Sequence, residues 1–326
     1  LPIIHYRVQL KNRGENMIYT LTLNPAIDLF IETKEMKENH VNRTEKYDIQ
    51  ANGKGINVSF ILKRLGIRNI ATGVGGGFTL DYIQQELTNN NIENFFVKTA
   101  GITRINVFTH VIEKDCEYKL VNPGPNANLA DQEQLLKYFD KLKEDDIVSL
   151  SGSFSSGISP NILTKLAQLI AKKGASFVID TSYPEVLDVL KYQPLLIKPN
   201  QEEIKKWFGI EQELSLKDTI RLATNLVQHG AQNVLLSLGE NGAAFITKDE
   251  VYYGNAPKID ALNTAGAGDT MLGTFIGGMV NGLDIKANLQ KSIAAGSDTT
   301  QSMWITDFKN VPELEKQVKV EKLTTI

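Results

Sequence analysis

From Met17 onward the chain alternates short runs of β-branched and aromatic residues with longer runs whose apolar residues recur at helical spacing, and this alternation limits its fold more than any other feature. Residues 18–23, 146–150, 176–180, 195–198 and 233–237 read as strands. Residues 56–65, 160–172, 217–229, 266–281 and 285–297 read as helices. The order predicts an α/β fold with a mostly parallel sheet covered on both faces. Ligands bind such sheets at the carboxyl ends of the strands, so residues just past each strand carry the functional argument.

Two regions break the alternation. Residues 29–49 and 103–121 have strand-type content with no helix between, and predict a small antiparallel sheet projecting from the main one. Surface hairpins would look the same. Each region, however, leaves and rejoins a loop at a strand's carboxyl end, which favours a lid over a site. Residues 17–326 then form one domain with two lid segments. Residues 1–16 hold three basic residues and no long apolar core, a poor signal peptide; they read as a non-native leader before Met17 or as a disordered arm.

Composition narrows the function classes. A formal charge of −3 gives no reason to expect nucleic acid or a membrane surface as partner. No apolar run reaches the roughly 18–20 residues of a membrane span. One cysteine, Cys116, excludes an internal disulfide framework and fits a cytoplasmic protein. The histidines at 5, 40, 110 and 229 lack metal-ligand spacing.

The chemistry is concentrated in glycine-rich entries to helices. In Asn263-Thr264-Ala265-Gly266-Ala267-Gly268-Asp269-Thr270, small residues lead into an apolar helix, so the free N–H groups of Gly266, Ala267 and Gly268 can meet an anion. An acid beside an anion hole suits phosphoryl transfer to a hydroxyl whose proton Asp269 removes. Ala51-Asn52-Gly53-Lys54-Gly55-Ile56-Asn57 reads either as a turn before a helix or as a loop presenting Lys54 and Asn57 to a sugar. None of the glycine clusters, including the one at 73–77, keeps the G-x-G-x-x-G spacing of a nicotinamide dehydrogenase, and none is a Walker A loop. A non-catalytic sugar or nucleotide sensor would have no need of Asp269.

Other strand ends add candidates. Asp28 follows the first strand and reads as a turn carboxylate or an acceptor for sugar hydroxyls. Asn200 is a helix cap, or joins Glu203 in holding Mg²⁺ through water while Lys198 reaches nucleotide phosphates. Ser237, Gly239 and Gly242 form a turn or a phosphate loop. Of five arginines after Met17, Arg64 and Arg68 read as surface residues at a helix end. Arg43 and Arg104 fall in or beside the lid segments, where a planar grip on a phosphate is available. Trp207 and Trp304 read as packing residues.

Taken in order, Asn24-Pro25-x-x-Asp28, Gly53-Lys54-Gly55-x-Asn57, Ser151-Gly152-Ser153, Lys198-Pro199-Asn200-x-x-Glu203 and Ala265-Gly266-Ala267-Gly268-Asp269 resemble the PfkB, ribokinase-like carbohydrate kinases, in their hexose-phosphate branch of 1-phosphofructokinases and tagatose-6-phosphate kinases. The resemblance implies an ATP-dependent kinase of a phosphorylated ketohexose, fructose 1-phosphate first and tagatose 6-phosphate as the alternative. It implies Asp269 as base with the anion hole of Gly266, Ala267 and Gly268, and Mg²⁺ on ATP organised by Asn200 and Glu203. Lys198, Ser237, Gly239 and Gly242 would line the nucleotide site. Asp28, Gly53 and Asn57 would bind sugar hydroxyls, and Lys54, Arg43 and Arg104 the sugar's phosphate. A homodimer paired through the lid is also implied. The chain departs from the family at Asn52, where the loop usually has glycine, at Leu80, at Ser155-Ser156 and at Tyr183-Pro184.

Overall fold

The computed structural model of the chain describes residues 16–302 and 304–323. The leader expected at residues 1–16 therefore lies, Asn16 apart, outside the described residues. The strands are β1 (Ile18–Thr22), β2 (Ala26–Thr33), β3 (Lys46–Asn52), β4 (Asn69–Gly75), β5 (Glu93–Lys98), β6 (Arg104–Val111), β7 (Cys116–Leu120), β8 (Ile147–Ser151), β9 (Ser176–Asp180), β10 (Leu196–Ile197), β11 (Val234–Ser237), β12 (Ala243–Ile246), β13 (Val251–Gly254) and β14 (Val320–Leu323). The α-helices are α1 (Lys54–Arg64), α2 (Gly77–Asn89), α3 (Leu129–Tyr138), α4 (Ile162–Lys172), α5 (Gln201–Trp207), α6 (Leu216–Gln228), α7 (Ala267–Val280), α8 (Ile285–Thr300) and α9 (Val311–Glu315).

Ten strands make the main sheet, in the order β14-β13-β12-β11-β10-β9-β8-β1-β4-β5. The run from β5 to β11 is parallel, and β12, β13 and β14 complete one edge antiparallel. Helices cover both faces. The central strand β1 is consequently buried along its whole length, with Tyr19 and Leu21 in one core cluster and Ile18 in another.

The remaining strands form a separate sheet, β3-β2-β6-β7. It differs from the expected all-antiparallel sheet: β2 and β3, and β6 and β7, pair antiparallel, but β2 and β6 pair parallel from Ala26↔Arg104 to Thr33↔Val111. The reason is topological. The two hairpins leave from the carboxyl ends of β1 and β5, which run parallel with β4 between them, so their outgoing strands point the same way. The register and the strand's two-residue period sort the side chains. Asp28 and Asn106 share one face; Leu29, Ile31, Tyr47, Ile49, Val107, Tyr118 and Leu120 share the other. The inner end of that apolar face, Ile27 and Ala51, packs with Leu80 and Ile83 of α2, whereas Tyr47 stays 71% and Leu120 62% exposed.

Helices α1 and α7 lie side by side and in step. Asn57 bonds Asp269, Ile61 meets Gly273, and Leu65 meets Gly277, each pair one turn beyond the last. A Cβ at Gly273 would come within 2.8 Å of Ile61, so glycine is what permits the approach. Eleven consecutive residues of α7, Asp269 through Met279, are buried. Two helix N-termini thus end up adjacent at the carboxyl edge of the sheet.

Candidate active site

At that edge four charged side chains converge. Asp180, the last residue of β9, is fully buried and takes both Lys54 Nζ (3.1 Å) and Lys198 Nζ (3.2 Å) on its Oδ1. Its Oδ2 has no hydrogen-bond partner. Burial pushes the Asp180 carboxyl up, but Lys198 and Lys54 outweigh it and hold it below its ordinary value. The charge of Asp180 in turn holds the Lys54 ammonium well above its usual range against burial, with Asp269 and Glu203 adding to the effect. Lys54 is therefore where the two helix starts and the turn after β10 meet electrostatically.

Asp269 sits in the first turn of α7 with 6% of its surface exposed. Gly266, the N-cap, has φ of 79°, a left-handed conformation that glycine adopts without penalty. A Cβ on Gly268 would lie 3.3 Å from Lys198 Nζ, so that ammonium faces the helix start. Burial pushes the Asp269 carboxyl up to about 6; Asp180 also raises it, while Lys54, the hydrogen bond from Asn57 and Lys198 pull against the shift. A carboxyl so poised accepts a proton more readily than an exposed one and still ionises near neutrality.

On the small-sheet side Asp28 is buried and accepts from Asn106 Nδ2 (2.8 Å) and Asn52 Nδ2 (2.7 Å). Burial raises its carboxyl, with Asn106, Arg104 and Asn52 opposing. Arg104 donates from Nη2 to the Asn24 carbonyl (3.1 Å) and leaves its buried Nε without a partner. A cavity of about 220 Å³ opens between the two sides, lined by Thr22, Asn24, Lys54, Arg104, the Ser151-Gly152-Ser153 turn and Ser182. It joins a lysine, an arginine and several hydroxyls, a donor set suited to a phosphorylated polar ligand.

The structure thus brings together Asp28, Gly53, Lys54, Asn57, Arg104, Lys198, Gly266, Ala267, Gly268 and Asp269. Gly53 has φ of 135° and passes close over Thr22, so backbone geometry alone accounts for a glycine there. Asn200 and Glu203 form a reciprocal capping box on α5: Glu203 N donates to Asn200 Oδ1 (2.8 Å), and Asn200 N to Glu203 Oε2 (2.9 Å). The turn holding Ser237, Gly239 and Gly242 follows β11, and Ser237 Oγ donates to the Pro199 carbonyl beside Asn200 (3.2 Å).

Arg43 is not brought to the others. It lies exposed in the connection from β2 to β3, and its carbonyl accepts from Thr33 Oγ1 at the far end of β2. Thr33 is about 17 Å along the strand from Asp28, at roughly 3.4 Å per residue. Arg64 is exposed as expected but not idle: it donates to the carbonyls of Ile305 and Thr306 and stacks on Trp304. Among the described residues no cluster of three or more His, Cys, Asp or Glu could hold a metal directly.

One site residue escaped the reading of the sequence, and another was flagged without its role. Asp180 has no motif spacing to its lysine partners, one of which lies 126 positions away. Asn52 gave a signal, its place in a loop that usually has glycine, but not its role.

With this geometry in place, the model of the pfkB family of carbohydrate kinases matches residues 16–307. The chain belongs to that family. It is 38% identical over 307 residues to the D-tagatose-1-phosphate kinase of Bacillus licheniformis, covering 94% of this chain and 100% of that one. It is 33% identical to the 1-phosphofructokinase of Bacillus subtilis over the same shares. Phosphofructokinase-2 of Escherichia coli, solved in complex with substrates and products, superposes with a TM-score of 0.82 at 28% identity, covering 92% of this chain and 98% of that one. The expected ribokinase-like α/β fold is borne out, a large mixed sheet with helices and a smaller separate sheet. As a pfkB-family carbohydrate kinase, the chain has no use for the dehydrogenase or sensor readings. The relatives named for tagatose act, by name, on its 1-phosphate rather than its 6-phosphate.

Proposed function

We propose that the protein transfers the terminal phosphoryl group of ATP to the C6 hydroxyl of a ketohexose 1-phosphate, fructose 1-phosphate being the substrate and fructose 1,6-bisphosphate the product. The observation that carries this reading is the Lys54–Asp180–Lys198 cluster beside Asp269, whose Lys54 also lines a cavity with Arg104. A ketohexose phosphorylated at C1 has one primary hydroxyl left, at C6. The two Bacillus relatives named above share the 1-phosphate and differ in the sugar; tagatose 1-phosphate is the second reading, favoured by the 38% identity to the Bacillus licheniformis enzyme.

Asp269 accepts the proton of the acceptor hydroxyl. Phosphoryl transfer is loose, so a carboxylate that positions the nucleophile and takes its proton late is sufficient. The N–H groups at Gly266, Ala267 and Gly268 receive the transferring group, with Lys198 at their side. Lys54 and Arg104 hold the phosphate already on the sugar. Asp28, Gly53 and Asn57 bind its hydroxyls; Asn57 keeps its buried Oδ1 free of any protein partner, an acceptor for one of them. Ser237, Gly239 and Gly242 line the nucleotide.

Mg²⁺ on ATP fits the residues present. It keeps most of its waters, which donate hydrogen bonds, so the protein must supply acceptors. Asn200 Oδ1, the second oxygen of Glu203 and the orphaned Oδ2 of Asp180 are such acceptors. Bound there, the ion neutralises charge on the ATP phosphates.

The small sheet is a lid, and its exposed apolar face pairs with a second copy to make a homodimer. Arg43, remote from the cavity in its own chain, grips the sugar phosphate across that pairing. The reaction takes place in the cytoplasm, with no nucleic acid or membrane involved.

The test is ADP release with Mg-ATP against fructose 1-phosphate, tagatose 1-phosphate, tagatose 6-phosphate, fructose 6-phosphate and the free sugars. The highest kcat/KM is expected with fructose 1-phosphate. A preference for a free sugar overturns the roles of Lys54, Arg104 and Arg43.

A further inference from the structure

An unbroken chain of side-chain hydrogen bonds links the two sides of the site. Asn106 donates to Asp28 Oδ1 (2.8 Å), Asn52 Nδ2 donates to Asp28 Oδ2 (2.7 Å), Asn57 Nδ2 donates to Asn52 Oδ1 (3.0 Å), and the same Asn57 Nδ2 donates to Asp269 Oδ2 (2.8 Å). Asn52 Oδ1 also accepts from the Gly53 N–H (2.6 Å). Ionised carboxylates accept only, so the Asp28 end fixes which way Asn52 turns, and the oxygen of Asn52 then fixes which way Asn57 turns. Both Nδ2 hydrogens of Asn57 are committed, one to Asn52 and one to Asp269. Its Oδ1 points into buried space with no partner.

An amide in that setting has an alternative. Rotated half a turn, Asn57 would offer its oxygen to a protonated Asp269, which stabilises the neutral acid rather than the carboxylate. Among the described residues, it is the acceptor oxygen of Asn52 that opposes the rotation. We propose that Asn52 is a positioning residue: through Asn57 it keeps an N–H donor aimed at Asp269 and ties the orientation of that carboxylate to the seating of Asp28. The consequence for Asp269 as proton acceptor rests on the function proposed above; the positioning itself does not.

The groups facing Asp269 are Lys54 and Asn57 from α1, Asp180 from the end of β9 and Lys198 from the turn after β10. Those facing Asp28 are Asn106 and Arg104 from β6 and Asn52 from β3. Asn52 carries no charge, so replacing it leaves every charge in both sets in place, and a change in the titration of Asp269 reports on hydrogen bonding.

The experiment follows the side-chain carboxyl carbon of Asp269 by NMR in full-length protein labelled with ¹³C-aspartate, the signal being assigned by its loss in Asp269→Asn. Wild type is compared with Asn52→Gly and with Asn52→Ala, which restores a Cβ should glycine loosen the loop. The titration midpoint is expected to rise by about one pH unit in both variants, a tenfold tighter hold on the proton. A wild-type midpoint in either folded variant overturns the proposal. The acid limb of kcat against pH, taken on the same proteins, separates the two claims. If the NMR midpoint moves and the limb moves with it, both stand. If the NMR midpoint moves alone, Asn52 positions Asp269 as proposed and Asp269 is not the base.

Discussion

The two sides of the site are built differently. On the main-sheet side, Lys54, Lys198, Asp180 and Asp269 are fixed by ion pairs at 3.1 and 3.2 Å, by burial, and by two helices packed in step through Gly273 and Gly277. On the small-sheet side, Asp28 and Arg104 sit at the base of a sheet whose apolar face leaves Tyr47 and Leu120 exposed, with Arg43 out at the far end. The difference teaches a division of labour. On the roles proposed above, charges that must be in place before substrate arrives are set in the core, where reorganisation is costly, and the groups proposed to select and enclose substrate stand on the more exposed element.

The sharpest way to break that comparison is at its buried end. Asp269→Asn is expected to lower kcat by about 10³-fold with KM nearly unchanged, since general-base contributions run to roughly 10²–10⁴. Steady-state kinetics giving near-normal turnover would remove Asp269 from the mechanism. Asp180→Asn leaves the buried Lys198 and the part-buried Lys54 with their shared anion gone, and is expected to cost about 3–5 kcal/mol of stability, read from urea unfolding. A loss below about 1 kcal/mol, the size of a surface pair, would show that the cluster is not the rigid half.

Arg104→Ala tests the other side. It should raise KM for the sugar phosphate about 10- to 100-fold, the worth of one or two charge-assisted hydrogen bonds, and leave kcat much less affected. A kcat effect as large as that of Asp269→Asn would erase the distinction between the halves.

The pH dependence follows from Asp269. Its carboxyl rises from an ordinary 3.8 to about 6, so the native state holds the proton more tightly than the unfolded chain. With Asp269 as the proposed base, activity requires the ionised form, and kcat/KM should fall as pH drops below about 6. Stability runs the opposite way: this group's contribution is present below the unfolded value and is lost as pH rises through the folded one. Asp269→Asn should therefore melt higher than wild type at pH 8, with the gain gone near pH 4, a crossover that calorimetry at the two pH values would reveal or exclude. The smallest effect belongs to the small sheet. Leu120→Glu should change stability by no more than about 0.5 kcal/mol and yet shift the sedimentation coefficient from dimer to monomer; a dimer that survives it does not use this face.

How much of this was legible beforehand depended on range. Alternating strands and helices, and the two strand-rich regions, follow from local periodicity, and Asp269 announced itself through the small residues leading into α7. The parallel pairing of β2 with β6 was not legible, because it is set by where each hairpin leaves the main sheet. The antiparallel edge of β12, β13 and β14 was also missed: its strands are four residues each, too short for a pattern to declare itself. Asp180 was invisible for a related reason. Its partners approach it through the fold, and a lone aspartate at a strand end has many ordinary explanations. Asn52 was seen as a departure, but its bonds to Asp28 and Asn57 exist only once β3, β2 and α1 are assembled.

The most direct test of the central claim is the ³¹P NMR spectrum of the product formed from fructose 1-phosphate and Mg-ATP. A second sugar phosphorus signal coupled to the C6 protons, growing in step with ADP, is the predicted result. No new sugar phosphorus signal, or one on any other carbon, would contradict it.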